Sequence, residues 1–515
     1  MTRSFSDSFE RRGSANPDPD RLKESDRFLR TCVLAILVVA GAFAYERAFR
    51  TLHIDETWVA GRIRAGEYVP HGIPTPPLYF FSGVALDRVI GTNDVSLRVP
   101  AVAFLLLAIV TPLALRKLAA DALTPRATLI WTFLIAFSSP YAYYGSRIKQ
   151  YTAEAFVATV LVSLAMWVGA DPSNRTRVAI FAGVGSLAAA TSHCAPFVLL
   201  GTGCALGSAA LVDSRGGRRP RIRVAIEIIA AHLVAAVVFL LAWRLYLSPG
   251  EGVERQFGDL SEYFSRIGGR FYFDGSVSFL VRRTADWVGQ YLNLTPFLLV
   301  AGVAAGSVWF LGRSSSAPRR TRVLATVCAI APVLFVLAAS AWRAYPYGEI
   351  RLMAFLWPGL SLALALAFDG CMGLPGVVGF VVRAACAAWA AVFFVNGTVL
   401  ESYNRTYMRA FDQRMVYSSL AASVRSDERI LGWNTEMTPL LYHEVHLGRS
   451  AAMFDTLLDR PVWPSARKTA VWILESTLKP LGISAPAGWR SDVEIVGRDL
   501  RAVRWSPPRE PEPEP

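Results

Sequence analysis

Asp55 and Glu56 stand side by side in the segment His53-Ile54-Asp55-Glu56-Thr57, directly after the first long apolar run of the chain. Carboxylates so close to a bilayer are costly unless they face a water-filled cavity or a reaction centre. One carboxylate can take the proton from an attacking hydroxyl, while cations elsewhere meet a departing phosphate. Asp55 is the candidate base. Glu56 would orient it, bind an acceptor, or hold a neighbouring basic residue. An acidic pair also suits the first turn of a helix, so the dipeptide alone decides little. Its company adds weight: Pro76-Pro77-Leu78-Tyr79 follows about twenty residues later, then Ser96-Leu97-Arg98-Val99-Pro100.

The candidate cations come from two later segments. In Tyr143-Tyr144-Gly145-Ser146-Arg147-Ile148-Lys149-Gln150-Tyr151, where one apolar run ends and the next begins, Arg147 and Lys149 could clamp a phosphate. Tyr151 would line the cavity with Tyr79. Glu154 sits one turn into the following run, placed to face the cavity or to pair with Lys149. In Trp342-Arg343-Ala344-Tyr345-Pro346-Tyr347-Gly348-Glu349-Ile350-Arg351, Arg351 is the stronger phosphate candidate, ahead of Arg343, with Tyr345 and Tyr347 in the substrate pocket. Lys, Arg and Tyr also gather at span ends simply because they snorkel into the interface. His193, in Thr191-Ser192-His193, could bind an acceptor or a phosphate oxygen, or be a hydrogen-bonded cap. His443 and His446 lack further ligands and read as surface. The loop 247–292 interleaves aromatic and basic residues, which suits sugar stacking, a gating loop, or a helix lying on the membrane.

The elements that must position these residues are membrane spans. Of 515 residues, 53% are hydrophobic, the mean hydropathy is +0.35, and the apolar residues come in blocks long enough to cross a hydrocarbon core of roughly 30 Å. Eleven spans are expected, at about 28–49, 98–117, 125–142, 152–170, 177–192, 195–213, 223–246, 293–312, 323–341, 352–370 and 376–396. The segment 76–90 is short and carries Asp87 and Arg88. If it does not cross, the N-terminal tail, Arg116-Lys117, Arg175/Arg177, Arg215 to Arg223 and Arg313 to Arg322 share one side, which the positive-inside rule makes cytoplasmic. It therefore reads as an interfacial or re-entrant helix. Asp55, Glu56, Arg147, Lys149, His193 and Arg351 then share the exoplasmic side.

Residues 1–27 read as a disordered cytoplasmic tail, and the span that follows is too long for a signal peptide. Residues 28–397 form the membrane domain. Residues 398–506 carry short strand patterns at 429–433 and 470–474, with helical stretches around 411–425 and 437–446, and predict a small exoplasmic α/β domain. Residues 507–515 alternate Pro and Glu as a disordered tail. The net charge of +13 is explained by the basic loops, and nucleic acid is not an expected partner. The six cysteines lie in or beside apolar runs, without metal-site spacing. No metal or other cofactor is required by the residues present; a divalent ion stays open.

The order Asp55-Glu56, Pro76-Pro77-Leu78-Tyr79 and Arg98-Val99-Pro100 resembles the GT-C superfamily of polyprenol-dependent glycosyltransferases, in particular the protein O-mannosyltransferases and the aminoarabinose and lipopolysaccharide-core sugar transferases. The similarity runs over about residues 30–370 and is clearest in 52–100. It implies an all-α polytopic fold of GT-C type with an exoplasmic active site. The implied reaction is an inverting transfer of a sugar from a polyprenyl-phosphate donor to an acceptor hydroxyl on a lipid, glycan or protein, with Asp55 at the reaction centre. Such relatives often carry Ser-x-Glu-Ala-Arg-x-Tyr where this chain has Ser-Arg-Ile-Lys-Gln-Tyr. Aligned on Tyr151, Lys149 replaces their arginine and Arg147 their glutamate, so the charge is kept without arginine's planar fork. The Ala- and Arg-rich composition suggests a bacterial inner membrane, with the N-terminus cytoplasmic. A transporter or lipid flippase is the rival reading; it would place its ionisable residues near the midplane, often in inverted repeats, and no repeat is visible. A binding protein working through residues 398–515 is a third.

Overall fold

The computed structural model describes residues 19–47, 56, 59–60, 63, 75–91, 96–118, 122–212, 218–247, 272–292, 318–347, 349–374, 376–400, 416, 419–420, 422–425, 428–433, 454–457, 470–476, 485–496 and 500–508. Its helices are α1 (Pro19–Arg47), α2 (Pro77–Ile90), α3 (Val99–Leu118), α4 (Pro125–Phe137), α5 (Ser139–Tyr144), α6 (Tyr151–Ala170), α7 (Arg175–Thr191), α8 (Ala195–Val212), α9 (Arg218–Ala242), α10 (Val277–Leu292), α11 (Arg319–Ala341), α12 (Trp357–Met372) and α13 (Gly376–Val395). Among the described residues eight helical stretches are long and apolar enough to cross a membrane.

The differences from the eleven expected spans have local causes. The span expected at 293–312 lies outside the described residues, as does the helix expected at 437–446. The span expected at 125–142 is broken. Ser138 is extended (φ −64°, ψ 133°) and separates α4 from α5, because Pro140 has no N–H to give the preceding turn and its ring would clash there. The helix at 177–192 is α7, of 17 residues. Helix α2 has 14 residues, about 21 Å at 1.5 Å per residue, too short to cross. It begins where Pro77 supplies a helical φ and ends at Gly91 in the left-handed region (φ 83°). Helix α1 starts at Pro19, ahead of its apolar stretch, and Arg116 lies 3.4 Å from Asp26 on it.

With few polar groups available in the interior, the spans are joined by the ones they have. The Trp131 indole on α4 donates to the Pro358 carbonyl at 3.1 Å and the Ser361 hydroxyl at 3.2 Å on α12. The Trp357 indole on α12 donates back to the Leu134 carbonyl at 3.0 Å. Tyr141 donates to the Ala354 carbonyl at 2.7 Å. Helix α8 packs most extensively on α11, where Gly201 leaves room for the Pro332 ring.

The C-terminal residues form a mixed five-stranded sheet, as the strand patterns at 429–433 and 470–474 suggest. Strands β1 (Arg429–Trp433), β2 (Phe454–Leu457), β3 (Val471–Ser476), β4 (Arg490–Val496) and β5 (Leu500–Ser506) lie in the order β2-β1-β3-β5-β4. β1 runs parallel to β2 and β3; β5 is antiparallel to β3 and β4. Val416, Leu420 and Val424 pack against Ile430, Trp472, Leu474, Leu500 and Ala502. Buried Glu428 accepts from the Trp472 indole at 2.8 Å and from Arg504 at 2.6 Å.

Candidate active site at one end of the bundle

Glu56 is the hub. Its carboxylate is 2% exposed, and Oε1 accepts the Ile148 backbone N–H at 2.9 Å. Arg98 Nη2 lies 3.6 Å from the same oxygen, and Arg147 Nη1 4.0 Å from Oε2. Glu56 therefore pairs with basic residues of two separate segments, those of Arg98 and Arg147. Arg98 closes a short 3-10 turn, Ser96–Arg98, that leads into α3. It is as buried as Glu56, which a guanidinium tolerates only beside an anion. Sequence reasoning placed Arg98 in a motif without a role; the available signal was a charge at the start of an apolar span.

The turn that Glu56 holds is compact. The Arg147 N–H donates to the Tyr144 carbonyl at 3.1 Å and the Lys149 N–H to the Arg147 carbonyl at 2.7 Å. A side chain at Gly145 would stand 2.9 Å from the Tyr141 carbonyl oxygen and 2.5 Å from a Leu105 methyl, so the turn needs glycine. The Arg147 guanidinium lies 4.0 Å over the Tyr143 ring, an arrangement favoured by the ring's quadrupole. Tyr144 packs between Tyr143 and Tyr151, with ring centroids 4.9 and 4.6 Å away. Its hydroxyl is within electrostatic reach of both Arg351 and Arg147, which come from distant segments. Arg351 Nε stands 2.9 Å from Glu349. Tyr79, on α2, is fully buried, and its hydroxyl approaches the Arg147 carbonyl at 3.5 Å. Burial holds its phenol above the usual range; Glu56 adds to this and Arg98 opposes it.

A second cluster adjoins the first. Glu154 turns to the loop between α7 and α8, where it accepts the Ser192 hydroxyl and the backbone N–H groups of His193 (3.2 Å) and Cys194 (3.3 Å). It thereby holds the loop that enters α8, whose first N–H, that of Ala195, is accepted by the Ser192 hydroxyl at 3.2 Å; sequence spacing did not reveal this role. Tyr345 donates to the Leu352 carbonyl at 3.0 Å and touches Cys194 Sγ at 3.4 Å; this ties the Arg351 segment to the His193 loop. His193 Nε2 is buried without a hydrogen-bond partner. Burial lowers its imidazole to about 4, so the ring is neutral at pH 7. Tyr347 is fully buried, its hydroxyl 2.6 Å from Thr284 and 3.2 Å from the Trp287 indole of α10. Asp55, His443 and His446 lie outside the described residues, and so does 248–271 of the long loop. Among the described residues no group of three His, Cys, Asp or Glu side chains is placed to hold a metal ion.

The basic residues of the intervening loops gather at the other end. Arg116 donates to the Leu123 carbonyl at 2.6 Å, Arg177 to the Trp167 carbonyl at 2.9 Å, and Arg175 and Arg223 both reach Glu227. The two ends of the bundle are thus chemically distinct, as the loop charges predict.

No family model matches the chain, and no curated protein matches it. Solved structures do. ArnT from Cupriavidus metallidurans bound to undecaprenyl phosphate is 14% identical, with a TM-score of 0.55 over 92% of this chain and 97% of its own. The apo state of the same protein gives 13% identity and a TM-score of 0.54 over the same shares. The Archaeoglobus fulgidus oligosaccharyltransferase in its apo form is 13% identical, with a TM-score of 0.46 over 80% of this chain and 64% of its own. The two ArnT structures show that this chain shares their fold, and among its described residues are eight helical stretches long and apolar enough to cross a membrane and a small C-terminal sheet.

Proposed function

We propose that this protein is a membrane glycosyltransferase that moves a sugar from a polyprenyl-phosphate donor to an acceptor hydroxyl, on the exoplasmic face of a bacterial inner membrane. The observation that carries the reading is the Glu56 hub. It draws the turn bearing Arg147 and Lys149, and the Arg98 end of α3, to the covalent neighbour of Asp55. A base next to phosphate-binding cations is what displacement of a phosphate by a hydroxyl demands. The shared fold with a protein that holds undecaprenyl phosphate supports the donor class.

In this reading the donor phosphate is met by Arg147, Lys149 and Arg351; Arg147 lies over the Tyr143 ring, and both arginines are within electrostatic reach of the Tyr144 hydroxyl. The acceptor oxygen attacks the anomeric carbon from the side opposite the phosphate. The new C–O bond forms as the anomeric C–O–P linkage gives up its C–O bond. The hydroxyl proton passes to Asp55, polyprenyl phosphate departs with the bonding pair, and configuration inverts. Glu56 positions this machinery and does not touch the reacting atoms. Neutral His193 offers an acceptor nitrogen to an incoming hydroxyl. The side chains supply the positive charge themselves, so no metal is invoked.

The test is transfer from radiolabelled polyprenyl-phosphate sugars in membranes carrying wild-type protein or Asp55→Asn at equal expression. Loss of transfer by about a hundredfold or more, the usual worth of a general base, is expected. Full activity in Asp55→Asn would remove Asp55 from the chemistry. No transfer by the wild type from a broad donor panel would overturn the assignment.

A further inference from the structure

The end of the bundle remote from Glu56 carries a cleft of about 720 Å³ between α1, α4 and α12, a size typical of small-ligand sites. Its apolar walls are Phe28 and Leu29 of α1 and Leu129 of α4; its polar side chains are Ser25, Thr124, Arg126 and Asp369. Asp369 is only 6% exposed, and its Oδ2 accepts the Thr124 hydroxyl at 2.9 Å. Arg126 is half-exposed, with Nε 3.8 Å from Oδ1. The two form an ion pair at a distance longer than a direct hydrogen bond. The first turn of α4 adds a partial positive charge on the Arg126 side, where Thr124 caps only the Ala127 N–H. Asp26 and Arg116 form a neighbouring pair at 3.4 Å that adds no net charge.

We infer that this cleft binds a phospholipid headgroup carrying both a phosphate and a primary ammonium, the ethanolamine class, from the leaflet opposite the candidate active site. The phosphate takes Arg126 and the α4 terminus, the ammonium takes Asp369, and the first methylenes lie along Phe28, Leu29 and Leu129. A purely anionic headgroup would set negative charge against Asp369, and a quaternary ammonium has no N–H to give it. The cleft lies where the spans α1 and α12 reach the interface, so lipid is the available occupant. The inference rests on the membrane fold and is independent of the proposed transfer reaction.

The test is native mass spectrometry of the protein released from nanodiscs made of equal phosphatidylethanolamine and phosphatidylglycerol. Wild type is expected to keep the ethanolamine lipid preferentially. Arg126→Gln, whose side chain is exposed enough to change without unfolding, is expected to lower that occupancy about tenfold, in line with loss of a charge-assisted contact. Leu129→Trp, which fills the cleft and leaves its polar groups intact, should do the same at an unchanged melting temperature. Equal retention of both lipids, unaffected by either variant, would overturn the proposal in favour of a non-specific lipid annulus. Preference for phosphatidylglycerol that Arg126→Gln abolishes would overturn the ethanolamine assignment. Cross-linking of residues 1–18 into the cleft, with no lipid retained, would make the occupant the chain's own N-terminal segment.

Discussion

Removing the charge of Glu56 while keeping its shape isolates what the hub contributes. In Glu56→Gln the amide oxygen can still accept the Ile148 N–H, so the loss is the attraction for Arg98 and Arg147. At 3.6 Å and an effective dielectric constant of about 20, the Arg98 pair is attracted by about 5 kcal/mol before desolvation. The Arg147 pair, at 4.0 Å and partly exposed, adds less because water screens it. What remains in Glu56→Gln is a buried guanidinium without its anion, and that costs about 3–5 kcal/mol. Arg98→Gln should cost a similar amount for the mirror-image reason. Changing both should cost far less than the sum, with a coupling of about 3 kcal/mol. The assay is reversible denaturation in detergent of the wild type, both single variants and the double variant. Strict additivity would refute the argument, since it would mean that Glu56 and Arg98 are stabilised by other partners and that the pair does not hold the Arg147 turn. The same four proteins assayed for transfer should show the loss mainly in kcat.

Gly145→Ala should destabilise by about 1–3 kcal/mol through overpacking against Leu105 and the Tyr141 carbonyl; this exceeds the 0.4–1 kcal/mol gained from a stiffer unfolded chain, and a melting curve reads the sign. Arg351→Lys keeps the charge and loses the fork, so donor KM should rise about tenfold with kcat little changed; unchanged KM would restrict Arg351 to its bond with Glu349. His193 has a folded value of about 4 against an ordinary 6.5. The unfolded chain therefore takes the proton first: the contribution to stability is whole above pH 6.5 and is lost as pH falls through 4, to a limit of about 3 kcal/mol. His193→Gln should flatten that part of the melting-temperature profile, and an unchanged profile would show that the ring is solvated.

The spans were legible because their signal is local. Apolar runs mark α3, α6, α8 and α11; Pro77 opens the short helix read at 76–90, and Pro140 accounts for the one broken span, the third. Loop charge was legible for the same reason, and the basic residues at 116, 175 and 177 do share one end. The contacts that build the site were not. Glu56 meets Arg98 and Ile148 through folding alone, and nothing in the chain near Glu154 announces that its partners are residues 192–194. Lys149 was an obvious candidate by type, whereas Arg98 is disclosed by its burial. Strand positions in the C-terminal region could be read from apolar stretches, but not the order β2-β1-β3-β5-β4, which depends on pairings between strands far apart in sequence.

The reciprocal indole bonds between α4 and α12 bear on how the chain is made. Helix α4 has 13 residues, about 20 Å, so it reaches only part of the way through roughly 30 Å of hydrocarbon and needs α5, beyond the Ser138 break, to extend it. Its broken end at Ser138 would leave backbone polar groups facing lipid. The Pro358 carbonyl and Ser361 hydroxyl that receive Trp131, and the Trp357 indole that donates to Leu134, arrive more than two hundred residues later in synthesis. Until then α4 is an incomplete span. Nascent chains that stop before α12 therefore expose it to the machinery that clears unassembled membrane segments, and a lesion at Trp357 would act first on the amount of protein and only then on its rate.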